Sequence, residues 1–153
     1  MKIIFLDIDG VIAIDFEEKS IPRNLSFHIP YMFTAQCVSY LNRILYATKA
    51  EIVLSSSWRL SYWDNIKQIF QLNNIYKYPI DKTPKIKYDE KYNQRGDEIN
   101  LYLHRHPEIE KYVILDDDND FDRIKNKECL FLTETDIGLT SSITDKIIKY
   151  LRD

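Results

Sequence analysis

Short apolar runs alternate along the chain with longer segments in which apolar residues recur at helical spacing. A short apolar run bounded by polar residues predicts a β-strand that is buried on both faces. Runs of this kind occupy residues 3–6, 52–54, 112–115 and 129–132. These segments are therefore predicted to form the strands of one sheet.

Apolar residues at helical spacing predict amphipathic helices between these strands. The first helix is expected to begin after Thr34, whose hydroxyl can cap it. Ser61 followed by Asp64 has the spacing of a capping box and predicts the start of the second helix. A third helix is predicted over residues 96–104, because the chain cannot continue a helix through Pro107.

A last helix and one irregular stretch complete the pattern. Apolar residues near the C-terminus lie at helical spacing, namely Ile143, Ile147, Ile148 and Leu151. Residues 76–93 are rich in Lys, Tyr and Pro without a clean period, which predicts a loop with at most one short strand. Apolar strands alternating with amphipathic helices predict an α/β fold, with a three-layer, Rossmann-like, mainly parallel sheet and helices on both faces.

Length and composition limit the class of protein. The 153 residues, 44% hydrophobic and 29% charged, are expected to pack as a single domain over residues 1–153. A net charge of -3 argues against a protein that binds nucleic acid by its overall charge. Cys37 and Cys129 have neither disulfide nor zinc-site spacing, which favours a reducing, cytoplasmic setting. No apolar stretch approaches the ~20 residues that span a membrane, so no membrane partner is expected.

Polar residues follow three of the predicted strands directly. They are Asp7 and Asp9, Ser55 and Ser56, and Asp116 and Asp117. In a parallel sheet, ligands bind at the carboxyl ends of the strands, where these side chains would meet. Two acids after one strand also fit a solvated strand end, but the same arrangement at three strand ends favours a functional site.

The first acidic pair has the chemistry of phosphoryl transfer. Asp7, fixed by the strand, is predicted to attack phosphorus as a nucleophile and form an aspartyl-phosphate. Asp9 is predicted to protonate the departing oxygen and then to deprotonate the water that hydrolyses the intermediate. Gly10 lets the backbone turn close to the phosphate without a side chain in the way, so it is assigned to substrate binding.

A phosphoryl dianion needs cations before it can approach these carboxylates. A set of oxygen ligands without His or Cys selects Mg²⁺. Its predicted ligands are the carboxylate of Asp7, one or both of Asp116 and Asp117, and the main-chain carbonyl of Asp9. Water molecules would complete the coordination.

Hydroxyl and cationic side chains are also expected to contact the phosphoryl group. Either Ser55 or Ser56 can hydrogen-bond its oxygens, and Lys85, Lys87 and Arg95 are the candidate cations. The choice within each set stays open from the residues alone.

Two further basic features have alternative interpretations. Arg59 fits a substrate phosphate and a structural ion pair equally well. Lysines and tyrosines interleave over residues 76–92, and such a strip fits a single-stranded nucleic acid or, more simply, a solvated loop.

Several of these motifs together resemble the haloacid dehalogenase (HAD) superfamily of phosphatases. The chain carries DIDGV at residues 7–11, a hydroxyl residue after the second strand, and DDDND at residues 116–120, in the order of that superfamily. More narrowly, it resembles the small, largely capless HAD domains of RNA-repair proteins. That likeness rests on four segments: LSSSWR at 54–59, RGDEI at 95–99, VILDD at 113–117 and GLT at 138–140.

This resemblance implies a fold and a set of roles. It implies a HAD-like domain with a minimal cap or none, an Asp7 nucleophile, an Asp9 acid and base, and Mg²⁺. Ser56 would be the hydroxyl of the second motif. The superfamily expects a lysine as its third motif, whereas Arg95 occupies the position that matches the narrower group.

The resulting hypothesis is a Mg²⁺-dependent phosphatase of phosphate monoesters, with polynucleotide phosphate ends as the favoured substrate class, either RNA or DNA. Small esters such as nucleotides are the alternative within enzymes, and a non-catalytic phosphate-binding domain is the alternative outside them. A signalling receiver domain is disfavoured, because there the phosphorylated aspartate ends a later strand than the acidic pair. The sequence leaves the oligomeric state open.

Overall fold

The computed structural model of the protein describes residues 1–14, 21–87 and 95–153. A parallel sheet of five strands lies at its centre, in the order β3-β2-β1-β4-β5. The strands are β1 (Lys2–Leu6), β2 (Glu51–Leu54), β3 (Asp81–Lys82), β4 (Lys111–Asp116) and β5 (Leu130–Leu132). All predicted strands are confirmed, and β3 is the short strand expected within residues 76–93.

Helices connect the strands. They are α1 (Ala35–Thr48), α2 (Trp58–Ser61), α3 (Ile66–Leu72), α4 (Arg95–Arg105) and α5 (Ser141–Arg152), with short 3-10 turns at Trp63–Asn65 and Lys127–Cys129. Because the strands are parallel, each connection must return to the opposite end of the sheet before the next strand begins.

The sheet is covered on both faces because alternate residues of each strand point to opposite sides. Ile4 and Leu6 of β1 belong to an apolar core that includes residues of α1, α3 and α5. Ile3 and Phe5 belong to a second core with residues of α4 and the 121–129 segment. The predicted three-layer α/β fold is confirmed, and the described residues contain no cap domain over the sheet.

Two predicted helix starts differ from the structure. Thr34 precedes α1, but its hydroxyl does not cap the helix and instead accepts a hydrogen bond from the Ile14 backbone N–H at 3.0 Å. Ser61 ends α2 rather than starting a helix, so the predicted capping box is wrong. The chain turns helical earlier, directly after Ser57, because the Leu60 N–H already bonds back to the Ser57 carbonyl.

Among the described residues, no helix has both the length and the apolar character needed to cross a membrane. Three of the residues in the predicted Lys/Tyr strip, Tyr88, Lys91 and Tyr92, lie outside the part of the chain that the structure describes.

Candidate active site

A cleft of about 380 Å³ lies at the carboxyl ends of the central strands. Its lining residues are Asp7, Asp9, Gly10, Ser57, Arg95, Asp117, Asp118 and Thr135. They come from the ends of β1, β2 and β4, the start of α4 and the segment after β5. The predicted edge of the sheet therefore carries the cleft.

Asp7 is the first residue beyond β1 and is only 4% exposed. Its backbone N–H donates to the Leu115 carbonyl at 3.0 Å, which extends the β1–β4 pairing and fixes its position. Burial raises the pKa of the Asp7 carboxyl above its ordinary value, while the charge of Arg95 and a hydrogen bond from the Ser56 side chain oppose that rise. The Asp7 carboxyl is thus largely shielded from solvent and lies beside the Arg95 guanidinium and the Ser56 hydroxyl.

Three carboxylates form one cluster in the cleft. Oxygens of Asp7, Asp116 and Asp117 lie within 4.8 Å of one another. This oxygen-only donor set, provided by rigid strand ends, fits a hard cation such as Mg²⁺. The three predicted carboxylate ligands, Asp7, Asp116 and Asp117, therefore lie together.

Gly10 and Thr135 place Asp117 in this cluster. Gly10 has a φ of +72°, and a Cβ built on it would lie 2.2 Å from Asp117 Oδ2. Only a residue without a side chain leaves room for that carboxylate. Thr135 then donates its hydroxyl to Asp117 Oδ2 at 2.7 Å. Thr135 could not be identified from the sequence, because it lies in a loop without periodicity.

Arg95 is the predicted cation that lies at the cluster. One guanidinium nitrogen is 2.5 Å from Asp116 Oδ2 and 3.3 Å from Asp7 Oδ1. Burial and the neighbouring Asp7 raise the pKa of Asp116 to about 7, against the lowering effect of Arg95. Burial lowers the pKa of Arg95, but the charges of both carboxylates outweigh it, so the net pKa is raised and the guanidinium stays charged.

The start of α4 is what brings Arg95 to this place. Its backbone N–H donates to Asp120 Oδ2 at 2.9 Å, and Gly96 N–H donates to the Asp120 carbonyl at 3.2 Å. Lys85 and Lys87 are exposed in the loop after β3, and neither lines the cleft. The structure thus brings one of the three candidate cations to the carboxylates.

Asp9 is held by two aromatic side chains that sequence reasoning did not connect with it. The Tyr31 hydroxyl donates to Asp9 Oδ1. The Trp58 indole N–H lies 3.3 and 3.2 Å from Oδ1 and Oδ2 of Asp9. The two rings meet edge to face at 5.6 Å, so each supports the position of the other. Tyr31 lies in an irregular segment, where no local pattern indicates its partner.

The serines after β2 divide into buried and accessible ones. Ser55 and Ser56 are fully buried, and Ser56 hydrogen-bonds the Asp7 side chain from behind the cleft. Ser57 is exposed and lines the cleft. Of the three hydroxyls, the one nearest to an incoming ligand is thus Ser57, which the sequence did not single out.

The structure does not bring Arg59 to the cleft. Its guanidinium is buried, pairs with Glu98 at 2.5 Å, and donates to the carbonyls of Ser55 and Ser56 at 2.7 and 2.9 Å. A third donor, Nε, reaches the Thr83 carbonyl at 3.1 Å. Of the two interpretations of Arg59, the structural ion pair matches this geometry: it holds the serine turn against α4.

Replacing Arg59 with Met is expected to lower the free energy of unfolding by about 3 kcal/mol, because Glu98 would be left buried without its partner. Arg123 offers a matched control, since it pairs with Asp97 at 2.7 Å on the surface. Arg123→Met should cost about 1 kcal/mol or less. Urea unfolding measures both, and equal losses in the two variants would contradict a special role of the buried pair.

Comparison with known proteins bears on the fold and the family of the chain. No curated protein matches the chain. A family model described as the HAD domain in Swiss Army Knife RNA repair proteins matches residues 3–143, which include β2 to β5, all of β1 except Lys2, and most of the helical residues. That match includes every acidic residue of the cluster and the Arg95 helix. The chain therefore belongs to the family of HAD domains found in Swiss Army Knife RNA repair proteins.

Proposed function

We propose that the protein is a Mg²⁺-dependent phosphohydrolase that cleaves phosphate monoesters through an aspartyl-phosphate on Asp7. The observation that carries this proposal is the meeting of Asp7, Asp116, Asp117 and Arg95 at one edge of the sheet. A carboxylate nucleophile, a hard-cation site and a fixed positive charge are what phosphoryl transfer requires. The family to which the chain belongs supports a phosphatase of the HAD type.

In the first step, an Asp7 oxygen attacks phosphorus while the bond from phosphorus to the leaving oxygen breaks, and Asp9 gives that oxygen a proton. In the second step, water attacks the same phosphorus, Asp9 takes the proton of the water, and Asp7 is released with inorganic phosphate. Arg95 and the Ser57 hydroxyl face the cleft in which the phosphoryl oxygens would lie.

Asp7, Asp116 and Asp117 would hold Mg²⁺, which supplies positive charge against the phosphoryl oxygens when bound. Arg95 keeps Asp7 and Asp116 close together through its two contacts. Ser56, behind the cleft, holds the Asp7 side chain by its hydrogen bond. Asp7 is thereby restrained in the direction from which it must attack.

Tyr31 is assigned a positioning role, because its hydroxyl donates to Asp9 and limits the orientation of that carboxyl. Tyr31→Phe should lower kcat/KM about 10-fold or more for an alkyl phosphate, whose leaving oxygen needs a proton. Turnover of p-nitrophenyl phosphate should change much less, since p-nitrophenolate leaves readily as an anion. Initial rates on the two esters measure this difference.

Tyr62→Phe is the control for that experiment. Tyr62 also packs against Trp58, with ring centroids 4.6 Å apart. The substitution therefore removes a hydroxyl from the same group of aromatic side chains. It should not distinguish the two esters. Equal losses on both esters in Tyr31→Phe would show a structural role only and contradict the positioning of Asp9.

The favoured substrate class is a polynucleotide that ends in a phosphate. Within the described residues, no separate domain covers the cleft. A large substrate can therefore reach the cleft. The family name associates such domains with RNA repair. Small esters such as nucleotides fit the same chemistry and are the alternative.

Turnover on a series of substrates tests the proposal. The purified protein, with Mg²⁺, would be given p-nitrophenyl phosphate, nucleotides, and oligonucleotides with a 3′- or 5′-phosphate, and phosphate release would be measured. We expect release from all esters tested and the highest kcat/KM on an oligonucleotide end. Preference for nucleotides would reject the polynucleotide substrate and keep the chemistry. Phosphate binding without any turnover would instead indicate a non-catalytic domain.

A further inference from the structure

A second cavity, of about 410 Å³, lies at the β3 edge of the sheet and is called the edge groove below. Residues of α2, of the loop after β3 and of the end of α4 line it, among them Leu60, Lys82, Lys85 and Arg105. It is separate from the cleft, with which it shares no lining residue. The proposed chemistry does not involve the cationic side chains that line it.

The two cavities differ in the sign of their charge. Four carboxylates and one guanidinium line the cleft, whereas the edge groove is lined by three lysine or arginine side chains besides the paired Arg59, and by one carboxylate, Asp81. A polyanion is repelled by the first and attracted by the second. A long phosphate-bearing chain that presents its end to the cleft therefore needs a cationic surface beside it.

We propose that the edge groove binds the sugar–phosphate backbone of a single-stranded polynucleotide whose phosphate end enters the cleft. The proposal rests on the proposed function and adds a binding site to it. The cavities are neighbours, because Ser57 lines the cleft and Leu60 lines the groove, about 4.5 Å apart along the axis of α2. Leu60 is 52% exposed and adds an apolar surface to the edge groove.

Contacts within the protein hold the charged side chains of Lys82 and Asp81 in the edge groove. The Lys82 ammonium is held 4.8 Å from the centre of the Trp63 ring, so its position is defined. The carboxylate of Asp81 already accepts from the Lys82 backbone N–H at 2.8 Å and from the Tyr102 hydroxyl at 3.0 Å. Both carboxylate oxygens of Asp81, the acidic residue of the lining, are therefore hydrogen-bonded within the protein.

Thr83 gives a second, independent sign of a ligand. It lines the groove, is only 2% exposed, and its hydroxyl has no hydrogen-bond partner within the described part of the chain. A buried hydroxyl without a partner is unfavourable by about 1–3 kcal/mol. Its oxygen is covered by protein atoms, so a phosphate oxygen would accept from it only after the lining side chains shift.

The groove also revises the predicted Lys/Tyr strip. Lys77 pairs with Glu51, and Tyr78 lies under the Lys67 ammonium, so these two members have partners of their own. Lys82 and Lys85 line the groove, where Arg105 joins them from α4. The cationic surface therefore comes from two distant segments and not from one continuous strip.

Binding of a labelled oligonucleotide tests the proposal directly. A fluorescent single-stranded RNA of about 12 nucleotides, a length within the range such sites cover, would be titrated with the full chain and followed by anisotropy. Lys82→Gln combined with Arg105→Gln should raise Kd about 10-fold. It should also reduce the slope of log Kd against log salt by about 1.4, since each contact with a single strand contributes about 0.7.

A charge-matched control separates the groove from general attraction. Lys146→Gln combined with Arg152→Gln removes one lysine and one arginine charge from exposed positions of α5. We expect this variant to bind like the unmodified protein. Equal weakening in both double variants, or none in the groove variant, would overturn the proposal, as would displacement of the RNA by a mononucleotide at equal phosphate concentration. Turnover of p-nitrophenyl phosphate by the unmodified protein reports on the proposed function separately.

Discussion

Asp7→Asn is expected to lower phosphatase turnover by at least about 1,000-fold, which corresponds to about 4 kcal/mol of transition-state stabilisation. An amide oxygen is a far weaker nucleophile than a carboxylate and cannot form an aspartyl-phosphate. The substitution also removes one charge from the cluster of Asp7, Asp116 and Asp117. Initial rates on p-nitrophenyl phosphate with saturating Mg²⁺ measure the loss.

The same variant should remain folded. Burial disfavours the ionised form of Asp7 and raises its pKa, so the folded state gains nothing from this charge at neutral pH. Asn of similar shape should therefore keep or increase the free energy of unfolding. Loss of turnover together with unchanged stability is the pattern of a reacting residue rather than of a structural one.

Asp118→Asn is the control for this experiment. Asp118 lines the cleft and carries the same charge, but it is exposed, and the Asp118 carboxylate accepts from the neighbouring Asn119 N–H. Its replacement should change turnover only a few-fold. Activity that survives in Asp7→Asn would assign the nucleophile to another residue and contradict the proposed chemistry.

The three central strands of the sheet, β1, β2 and β4, could be predicted from the sequence because they are buried on both faces. Such strands consist of consecutive apolar residues, and each prediction matches the observed strand to within a residue or two. Because parallel strands end at the same edge of the sheet, the polar residues that follow these strands were expected to lie close together there. Asp7, Asp116 and Asp117 could be placed for this reason, without knowledge of any contact.

The residues that position the site's side chains could not be predicted, because their roles depend on contacts between distant segments. Tyr31 reaches Asp9 from a segment without periodicity, and Thr135 reaches Asp117 from a loop. Arg59 and Glu98 meet although 39 positions separate them. Residue type alone leaves each of these side chains with several possible partners.

Local signals also failed where a stronger interaction competed with them. The Ser61 capping box did not form, since the chain had already turned helical at Trp58, where Arg59 binds the carbonyls of Ser55 and Ser56. A cap contributes about 1 kcal/mol. The loss of one partner of a buried ion pair is larger, at about 3–5 kcal/mol. The contacts of Arg59, which include the ion pair with the distant Glu98, are therefore expected to outweigh the cap.

Removal of divalent cations is expected to reduce turnover to the background rate, and Mg²⁺ should restore it. The cleft lining carries four carboxylates against one guanidinium, so a phosphate dianion meets net repulsion without a bound cation. Dialysis against a chelator, followed by titration with Mg²⁺ and by calorimetry of the metal alone, measures activity and binding independently. Full turnover in the presence of chelator would contradict the assigned cofactor.

Variants of Asp117 locate the cation. Asp117→Asn should raise the Mg²⁺ concentration for half-maximal activity about 10-fold to 100-fold, and Thr135→Val should raise it about 10-fold by freeing Asp117 Oδ2. Asp118→Asn removes a neighbouring charge that is outside the cluster and serves as the control. A similar shift in Asp117→Asn and Asp118→Asn would mean that the cation is attracted by the general field of the cleft. A rise in this Mg²⁺ concentration only in Asp117→Asn and Thr135→Val would mean that the three carboxylates bind the cation, because only direct ligation depends on which oxygen is lost or displaced.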